Sequence, residues 1–137
     1  MDPLDRLTQA LNNHDLDALV DCFTVDYISE TPVHPARNFV GRDQVRRNWS
    51  QILASVADLS AELIRSTVDP TQVWAEWDWH GSGPGGQPFS MRGVTILEPD
   101  ASGERFRLAR FYMEPLQRDE VGPDAAVRHA VAQPRGA

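Results

Sequence analysis

The run Val73–His80 contains three of the four tryptophans of this 137-residue chain. Hydrophobicity alternates along the run with a period of two, as it does in a β-strand whose two faces meet different surroundings. The odd-numbered side chains are all apolar, whereas the even-numbered ones combine a tryptophan with polar and charged groups. We therefore predict a central strand with one face turned toward an apolar interior, and we interpret that face as the wall of a pocket.

Helical periodicity dominates the sequence before residue 57. Leucines three and four positions apart predict a first helix, and Asp15 is placed to cap a second helix whose apolar stripe extends to Phe23. Gly41 precedes the clearest helix, in which apolar side chains recur on one face over three turns. Tyr27–Thr31, rich in β-branched residues, is predicted to be an edge strand between the second and third helices.

The remainder of the sequence alternates like strands joined by turns. The predicted strands are Leu59–Val68, Val73–His80, Gln87–Leu97 and Phe106–Met113. Helices followed by such a meander indicate an α+β fold, here a cone-shaped, curved antiparallel sheet packed on three N-terminal helices. A cone of this kind leaves a natural pocket for a small ligand. We place the domain at residues 1–115 and interpret 116–137 as a tail, either flexible or with a short helix at Asp124–Val131.

The amino-acid composition limits the kinds of binding partner and the cellular location that we expect for this chain. Thirteen Lys and Arg against 20 Asp and Glu give a net charge of −7, which disfavours nucleic acid as a partner. The single cysteine, Cys22, excludes an intramolecular disulfide and is interpreted as a buried thiol. The histidines show no metal-ligand spacing, so we expect neither a metal nor a cofactor. No apolar run reaches membrane length and no leader pattern is seen, so we predict a cytoplasmic protein that does not enter a membrane.

Several strings in this order resemble the nuclear transport factor 2-like superfamily, and its SnoaL-like polyketide cyclase branch in particular. They are NNHDLDALVDCF at 12–23, FVGRDQV at 39–45, WAEW at 74–77 and ARFYMEP at 109–115. The resemblance extends from about Leu4 to Pro115 and implies the conical fold, commonly with homodimers paired through the outer face of the sheet. It implies no single activity, because the superfamily includes isomerases, cyclases, epoxide hydrolases, dehydratases and binding proteins.

The positions that correspond to the acids and bases of related enzymes carry side chains without an acidic or basic group in this chain. The resemblance aligns the isomerase base with Thr31, the oxyanion-binding tyrosine with Leu7 and the protonated acid with Gly93. An acid on the last strand of the cyclases and epoxide hydrolases aligns with Phe111. None of these side chains can accept a carbon-bound proton or donate from an acid of raised pKa. Whether the chain is an enzyme is therefore left open.

The candidate site combines a loop histidine with side chains predicted to face the cone. His34, in a loop bracketed by prolines, could serve as an acid or a base, or could be an ordinary loop histidine. Tyr27 is the second catalytic candidate, through its hydroxyl group, and Glu30 is expected to point outward. The predicted ligand-binding residues are Phe23, Tyr27, Thr31, His34, Asn48, Trp49, Trp77, Trp79, Met91, Phe111 and Met113.

Charged side chains of the strands fall on the face opposite to Trp77. We interpret them as a cross-strand ladder of ion pairs at a homodimer interface. The predicted interface residues are Trp74, Glu76, Arg92, Arg110 and Tyr112. The alternative reverses the sheet, so that Glu76, Arg92 and Arg110 form a buried acid–base site.

Two functions remain. The first is binding of a small, mostly apolar ligand in the cone, polyketide- or steroid-like compounds being candidates, with cofactor-independent isomerase or cyclase activity left open. The second is a non-catalytic dimeric module, structural or interacting, whose cavity is filled by its own side chains. Small residues on the inward face, Ala75 and Gly93, favour the first. A cavity larger than a few waters would support the first function, and solid packing of Trp49, Trp77 and Phe111 the second.

Overall fold

The computed structural model describes residues 1–132, which form an α+β fold as predicted. The helices are α1 (Pro3–Asn12), α2 (Leu16–Asp21), α3 (Arg42–Ser55) and α4 (Pro123–Ala132). The strands are β1 (Phe23–Glu30), β2 (Phe39–Val40), β3 (Ser60–Val68), β4 (Val73–Ser82), β5 (Pro88–Pro99) and β6 (Phe106–Pro115). Helices α1 to α3 therefore precede or interrupt the first strands, and the long strands follow in sequence.

The helix starts follow from their capping residues. The Asp2 carboxylate accepts the Asp5 N–H at 2.9 Å at the start of α1, and Asp15 does the same for the Ala18 N–H at 3.1 Å at the start of α2. Helix α2 ends at Asp21, two residues before the end of its predicted apolar stripe at Phe23. Phe23 begins β1, where its backbone pairs with that of Phe106. The prediction that Phe23 belongs to the helix was therefore wrong. Phe23 continues the helical spacing of the apolar residues, but its pairing in the sheet decides its conformation.

The described strands form one sheet in the order β2-β1-β6-β5-β4-β3. All neighbours are antiparallel except β1 and β6, which are parallel, so the sheet is mixed and not antiparallel throughout as predicted. No tight turn joins β1 to β6, and their relative direction is therefore decided by the path of the whole chain. Strand β2 pairs with the edge of β1 that faces away from β6. Strand β1 is therefore internal to the sheet, contrary to the prediction of an edge strand.

The two faces of β4 meet the surroundings that alternation predicts. Trp77 is 1% exposed on the inner face, whereas Trp74 is 48% exposed on the outer face. The carboxylate of Glu76, also on the outer face, lies 2.8 Å from the Arg65 guanidinium. The predicted orientation of the sheet is confirmed, and the reversed sheet with a buried Glu76–Arg92–Arg110 site is wrong.

Ion pairs between neighbouring strands cover the outer face. Arg92 on β5 lies 3.1 Å from Asp78 on β4, and Arg110 on β6 lies 3.1 Å from Glu30 on β1. Glu30 thus points outward, as expected. Each of these pairs is partly exposed, so each contributes at most about 1 kcal/mol to stability. The ion pairs favour one register of the strands and keep the outer face polar, but they add little to the free energy of unfolding.

Gly93 on β5 is required by the close approach of β6. It has a φ of +151°, and a Cβ atom at this position would lie 1.9 Å from the Tyr112 carbonyl oxygen. The missing side chain is therefore filled by backbone and leaves no room for a ligand. The argument from sequence that Gly93 enlarges a pocket was wrong for this reason.

The described residues that follow β6 lie outside the sheet. Helix α4 agrees with the short helix predicted in the tail, and Val127 and Val131 on it are exposed. Residues 133–137 of the predicted tail lie outside the described residues. The domain boundary at Pro115, where β6 ends, stays a prediction. Within residues 1–132, no helix has both the length and the apolar character needed to cross a membrane.

Candidate functional site

A small cavity lies between the helices and the inner face of the sheet, and we call it the cone cavity. Its volume is about 20 Å³, which is room for about one water molecule. Its lining residues are Leu7, Leu11, Leu19, Phe23, Trp49, Trp77, Trp79, Thr95, Leu97 and Phe111. These side chains come from α1, α2, β1, α3, β4, β5 and β6, so the cavity is the place where most of the fold converges.

Three tryptophans form a continuous aromatic wall on one side of the cone cavity. Trp49 on α3 meets Trp79 edge to face, with ring centroids 5.4 Å apart and an interplanar angle of 69°. Trp77 lies next to Trp79 at 6.0 Å. Trp77 and Trp79 are buried, whereas Trp49 is half-buried and covers the wall from the helix side. Trp49 is therefore the member of the wall that has access to solvent.

The two buried indoles differ in their hydrogen bonds. Trp77 Nε1 donates to Thr95 Oγ1 at 2.9 Å across neighbouring strands. Trp79 Nε1 is buried and finds no hydrogen-bond partner among the described residues. A buried donor without a partner is rare in folded proteins.

Five of the predicted ligand-binding residues line the cone cavity, namely Phe23, Trp49, Trp77, Trp79 and Phe111. The structure brings these together from separate elements, as strand and helix parity indicated.

The other predicted residues lie elsewhere. Met113 is buried in the core and Met91 is packed half-buried against it, both away from the cavity lining. Asn48 accepts a hydrogen bond from the Gln44 side chain at 2.7 Å on α3. The Thr31 backbone N–H donates to Asn38 Oδ1 at 2.7 Å, after the end of β1. Neither Asn48 nor Thr31 lines the cone cavity.

His34 lies at the edge of the outer face, away from the cavity lining. Its Nε2 atom is 2.8 Å from Glu114 Oε1, and the two side chains are 37% and 54% exposed. Glu114 shares its strand parity with Arg110 and Tyr112, opposite to Phe111. This carboxylate partner was not evident from the local sequence, because it is 80 residues away in the chain.

Tyr27 is buried in the core beside Phe23 and outside the cavity lining. Burial raises the pKa of the Tyr27 hydroxyl well above its usual range, and a hydrogen bond with Ser29 only partly opposes this. Tyr27 therefore stays protonated at all physiological pH values. Cys22 is likewise buried, as predicted, and burial raises the pKa of its thiol to about 11.

Sequence reasoning missed five residues of the cavity lining: Leu7, Leu11, Leu19, Thr95 and Leu97. A signal for each was present. The leucines of α1 and α2 lie on the apolar stripes that predicted those helices, and Thr95 and Leu97 share the inward parity of β5. What the pattern did not indicate is which inward side chains surround a void and which pack solidly.

Larger hollows lie on the surface of the described part of the chain. One, of about 510 Å³, is bordered by the start of α1 and by the β3–β4 and β5–β6 turns, and another, of about 450 Å³, lies between α3 and the β4–β5 turn. The acidic groups of the first hollow are engaged in their own turns. The Thr71 hydroxyl and backbone lower the pKa of Asp69, and the Ser102 hydroxyl does so for Asp100. Among residues 1–132, no cluster of three or more His, Cys, Asp or Glu side chains could hold a metal ion.

The model of the SnoaL-like domain family matches residues 4–104, about three quarters of the chain. The chain belongs to this family. The predicted resemblance to the nuclear transport factor 2-like superfamily and its SnoaL-like branch is thereby confirmed. A search of the curated proteins found no match for this SnoaL-like chain.

Solved structures share the fold of this SnoaL-like chain at low sequence identity. RV0760c from Mycobacterium tuberculosis, in complex with estradiol-17beta-hemisuccinate, has a TM-score of 0.69 at 16% identity over 80% of this chain and 89% of that one. SalBIII, an epoxide hydrolase/cyclase-like enzyme of pyran ring formation in the polyether salinomycin, has a TM-score of 0.71 at 17% identity, covering 82% and 88%. A computationally designed 17-OHP binder has a TM-score of 0.68 at 16% identity, covering 83% and 95%. These likenesses show the fold alone.

Proposed function

We propose that this SnoaL-like chain binds one small, mostly apolar molecule in the cone. The observation that carries the proposal is the cone cavity itself, an apolar void at the meeting point of the helices and the sheet, with one wall covered by the half-buried Trp49. Apolar pockets with few polar groups are typical of small-molecule sites. RV0760c, which shares this fold, holds an estradiol derivative, and another structure with the fold was designed to bind 17-OHP, which supports a steroid-sized ligand.

Binding requires the cone to open. A void of about 20 Å³ cannot hold an organic ligand, so a side chain must leave. Trp49 is the candidate, because it is half-buried and its helix buries Val45 fully but holds Ile52 and Leu53 only partly buried. Helix α3 also begins after Gly41, which offers no side-chain cap. Helix α3, which carries Trp49, is therefore held less firmly than the paired strands on the opposite side of the cone cavity.

The cavity lining supports binding and not proton transfer. No ionisable side chain of the described residues lines the cone cavity. The positions that the resemblance aligns with the isomerase base, the oxyanion-binding tyrosine and the two acids carry Thr31, Leu7, Gly93 and Phe111, which cannot replace those groups in proton transfer. A catalytic role for His34 or Tyr27 stays a prediction from sequence, and the cytoplasmic location does as well.

The size of the void favours a second function by the criterion stated from the sequence, because about 20 Å³ is room for about one water molecule and not for more than a few. If the tryptophans fill the cone permanently, the chain is a structural or interaction module, and a void of about 20 Å³ is what such a core would show. The two functions differ in whether Trp49 can be displaced by a ligand.

We expect Trp49→Ala to bind polycyclic ketones about tenfold more tightly than the unmodified chain, because the variant no longer has to displace the indole before binding. The measurement is a thermal-shift and calorimetric series from 1-tetralone to a four-ring steroid ketone. Trp74→Ala is the matched control, since it makes the same chemical change on the outer face and should leave binding unchanged. If neither the unmodified chain nor Trp49→Ala responds to any compound, the filled module is the better description.

We further propose that the chain forms a homodimer through the outer face of the sheet. Trp74 and Tyr112 are 48% and 42% exposed there, with ion pairs around them, and on the strand between them Ile96 lies in register with Trp74 and Val94 with Tyr112. Exposed aromatic residues bordered by charged ones are typical of interface centres.

Trp74→Ala is expected to weaken the dimer at least about thirtyfold, because central tryptophans commonly contribute 2 kcal/mol or more at interfaces. Sedimentation equilibrium over a range of protein concentrations measures this. Trp49→Ala serves as the reciprocal control and should leave the dimer intact. A monomeric unmodified chain would rule out the interface.

A further inference from the structure

The indole N–H of Trp79 is a buried donor that no residue among 1–132 accepts. Trp79 is 8% exposed, and its Nε1 atom finds no acceptor within the described part of the chain. Leaving a buried N–H without an acceptor costs free energy, so a fold retains one only where something else compensates. The neighbouring Trp77 shows the ordinary solution, with its N–H donated to Thr95 Oγ1 at 2.9 Å.

The free donor belongs to the wall of the cone cavity. Trp79 lines the cavity and lies between Trp77 and Trp49, whose ring centroid is 5.4 Å away. Movement of Trp49 would uncover the Trp79 ring before any other part of the aromatic wall. A ligand that replaces the Trp49 ring would therefore meet Trp79 directly.

The chemistry of the wall selects among ligands. An N–H donor requires an acceptor, and a carbonyl oxygen is a strong neutral one. A carboxylate or an ammonium group would lose its hydration here without gaining a counter-charge, because the described lining residues carry none. An apolar body with one neutral acceptor satisfies every group of the wall.

We propose that Trp79 Nε1 is the hydrogen-bond donor of this site and that the ligand is an uncharged, mostly apolar molecule whose carbonyl oxygen accepts from it. The proposal rests on the proposed function, since it requires that the cone opens to a ligand. It names the class of ligand that the cone takes and the residue that recognises it.

Three bicyclic probes of matched shape test the proposal by calorimetry: 1-tetralone, its hydrocarbon tetralin, and the carboxylate of 1,2,3,4-tetrahydro-1-naphthoic acid. We expect the ketone to bind roughly tenfold more tightly than the hydrocarbon, as one added hydrogen bond implies, and the carboxylate to bind most weakly. Trp79→Phe keeps an aromatic ring without the N–H and should reduce the ketone preference to about one. Trp74→Ala should retain the preference.

The outcomes separate the two proposals. If ketone and hydrocarbon bind equally, the donor role of Trp79 is wrong while binding in the cone stands. A ketone preference that survives Trp79→Phe assigns the donor to another group and also overturns the inference. If no probe and no larger ketone binds, the proposed function fails, and the inference fails with it.

A second measurement does not depend on the stability of the variant. In the unmodified chain labelled with ¹⁵N-indole tryptophan, the Trp79 N–H resonance should move downfield on addition of 1-tetralone and not on addition of tetralin. The Trp77 N–H, already bonded to Thr95, should move little with either probe. A Trp79 resonance that responds identically to both probes contradicts the hydrogen bond.

Discussion

Alanine in place of Gly93 is expected to remove a large part of the free energy of unfolding of the chain. The added methyl carbon would lie 1.9 Å from the Tyr112 carbonyl oxygen and 2.9 Å from Met113 Cα, on backbone that the pairing of β5 and β6 holds in place. The φ of +151° is also one that alanine rarely adopts. Strand displacement and backbone strain together cost roughly 3–6 kcal/mol, against a total stability on the order of 5–15 kcal/mol.

Urea unfolding followed by far-ultraviolet circular dichroism measures this loss, and Gly103→Ala is its matched control. Gly103 lies in the β5–β6 turn with a φ of +74°, but nothing lies within 4 Å of the position that its Cβ would take. Gly103→Ala therefore introduces backbone strain without a steric clash, and its free energy of unfolding should fall by only about 1 kcal/mol. Equal losses in the two variants would show that the approach of β6 to Gly93 is looser than the structure indicates.

Removal of the Trp77 side chain has the second large effect. Trp77 is 1% exposed and packs at the centre of the core, so Trp77→Ala is expected to lose about 3–5 kcal/mol of unfolding free energy. The Thr95 hydroxyl also loses its donor and stays buried, which adds about 1 kcal/mol or more. Trp77→Phe, which retains most of the ring volume, should lose about 1–2 kcal/mol, chiefly through the broken hydrogen bond.

Trp74→Ala provides the comparison, because it makes the same change on the same strand at a side chain that is 48% exposed. Its loss should stay below about 1 kcal/mol when unfolding is measured at a protein concentration that keeps the chain monomeric. A loss at Trp77 no greater than that at Trp74 would contradict the inward orientation of Trp77, and with it the position of the cone cavity.

The candidate site was only partly predictable from sequence. The periodicity of each strand or helix identified the aromatic residues that line the cone cavity, because a few consecutive residues are enough to show which face of an element is buried. Parity does not measure volume, and the small size of the void follows from how Trp49, Trp77 and Trp79 pack against one another. The unpartnered state of the Trp79 indole likewise depends on every neighbouring element at once.

The role of His34 illustrates the same limit. A histidine in a loop bracketed by prolines was a candidate for the site, but its position in a loop does not say toward which face of the sheet the ring turns. The structure pairs it with Glu114, which lies on the outer face of β6. The pairing joins two residues that share no local pattern.

Local patterns in the sequence determined the α+β class, the capped starts of α1 and α2, and the inner and outer faces of β4, since each depends on residues a few positions apart. Tertiary structure alone decided the parallel pairing of β1 with β6, the contact between Gly93 and Tyr112, and the near-complete filling of the cone. The physical reason is that these features join elements distant in the chain, whose geometry is set only when all layers pack together.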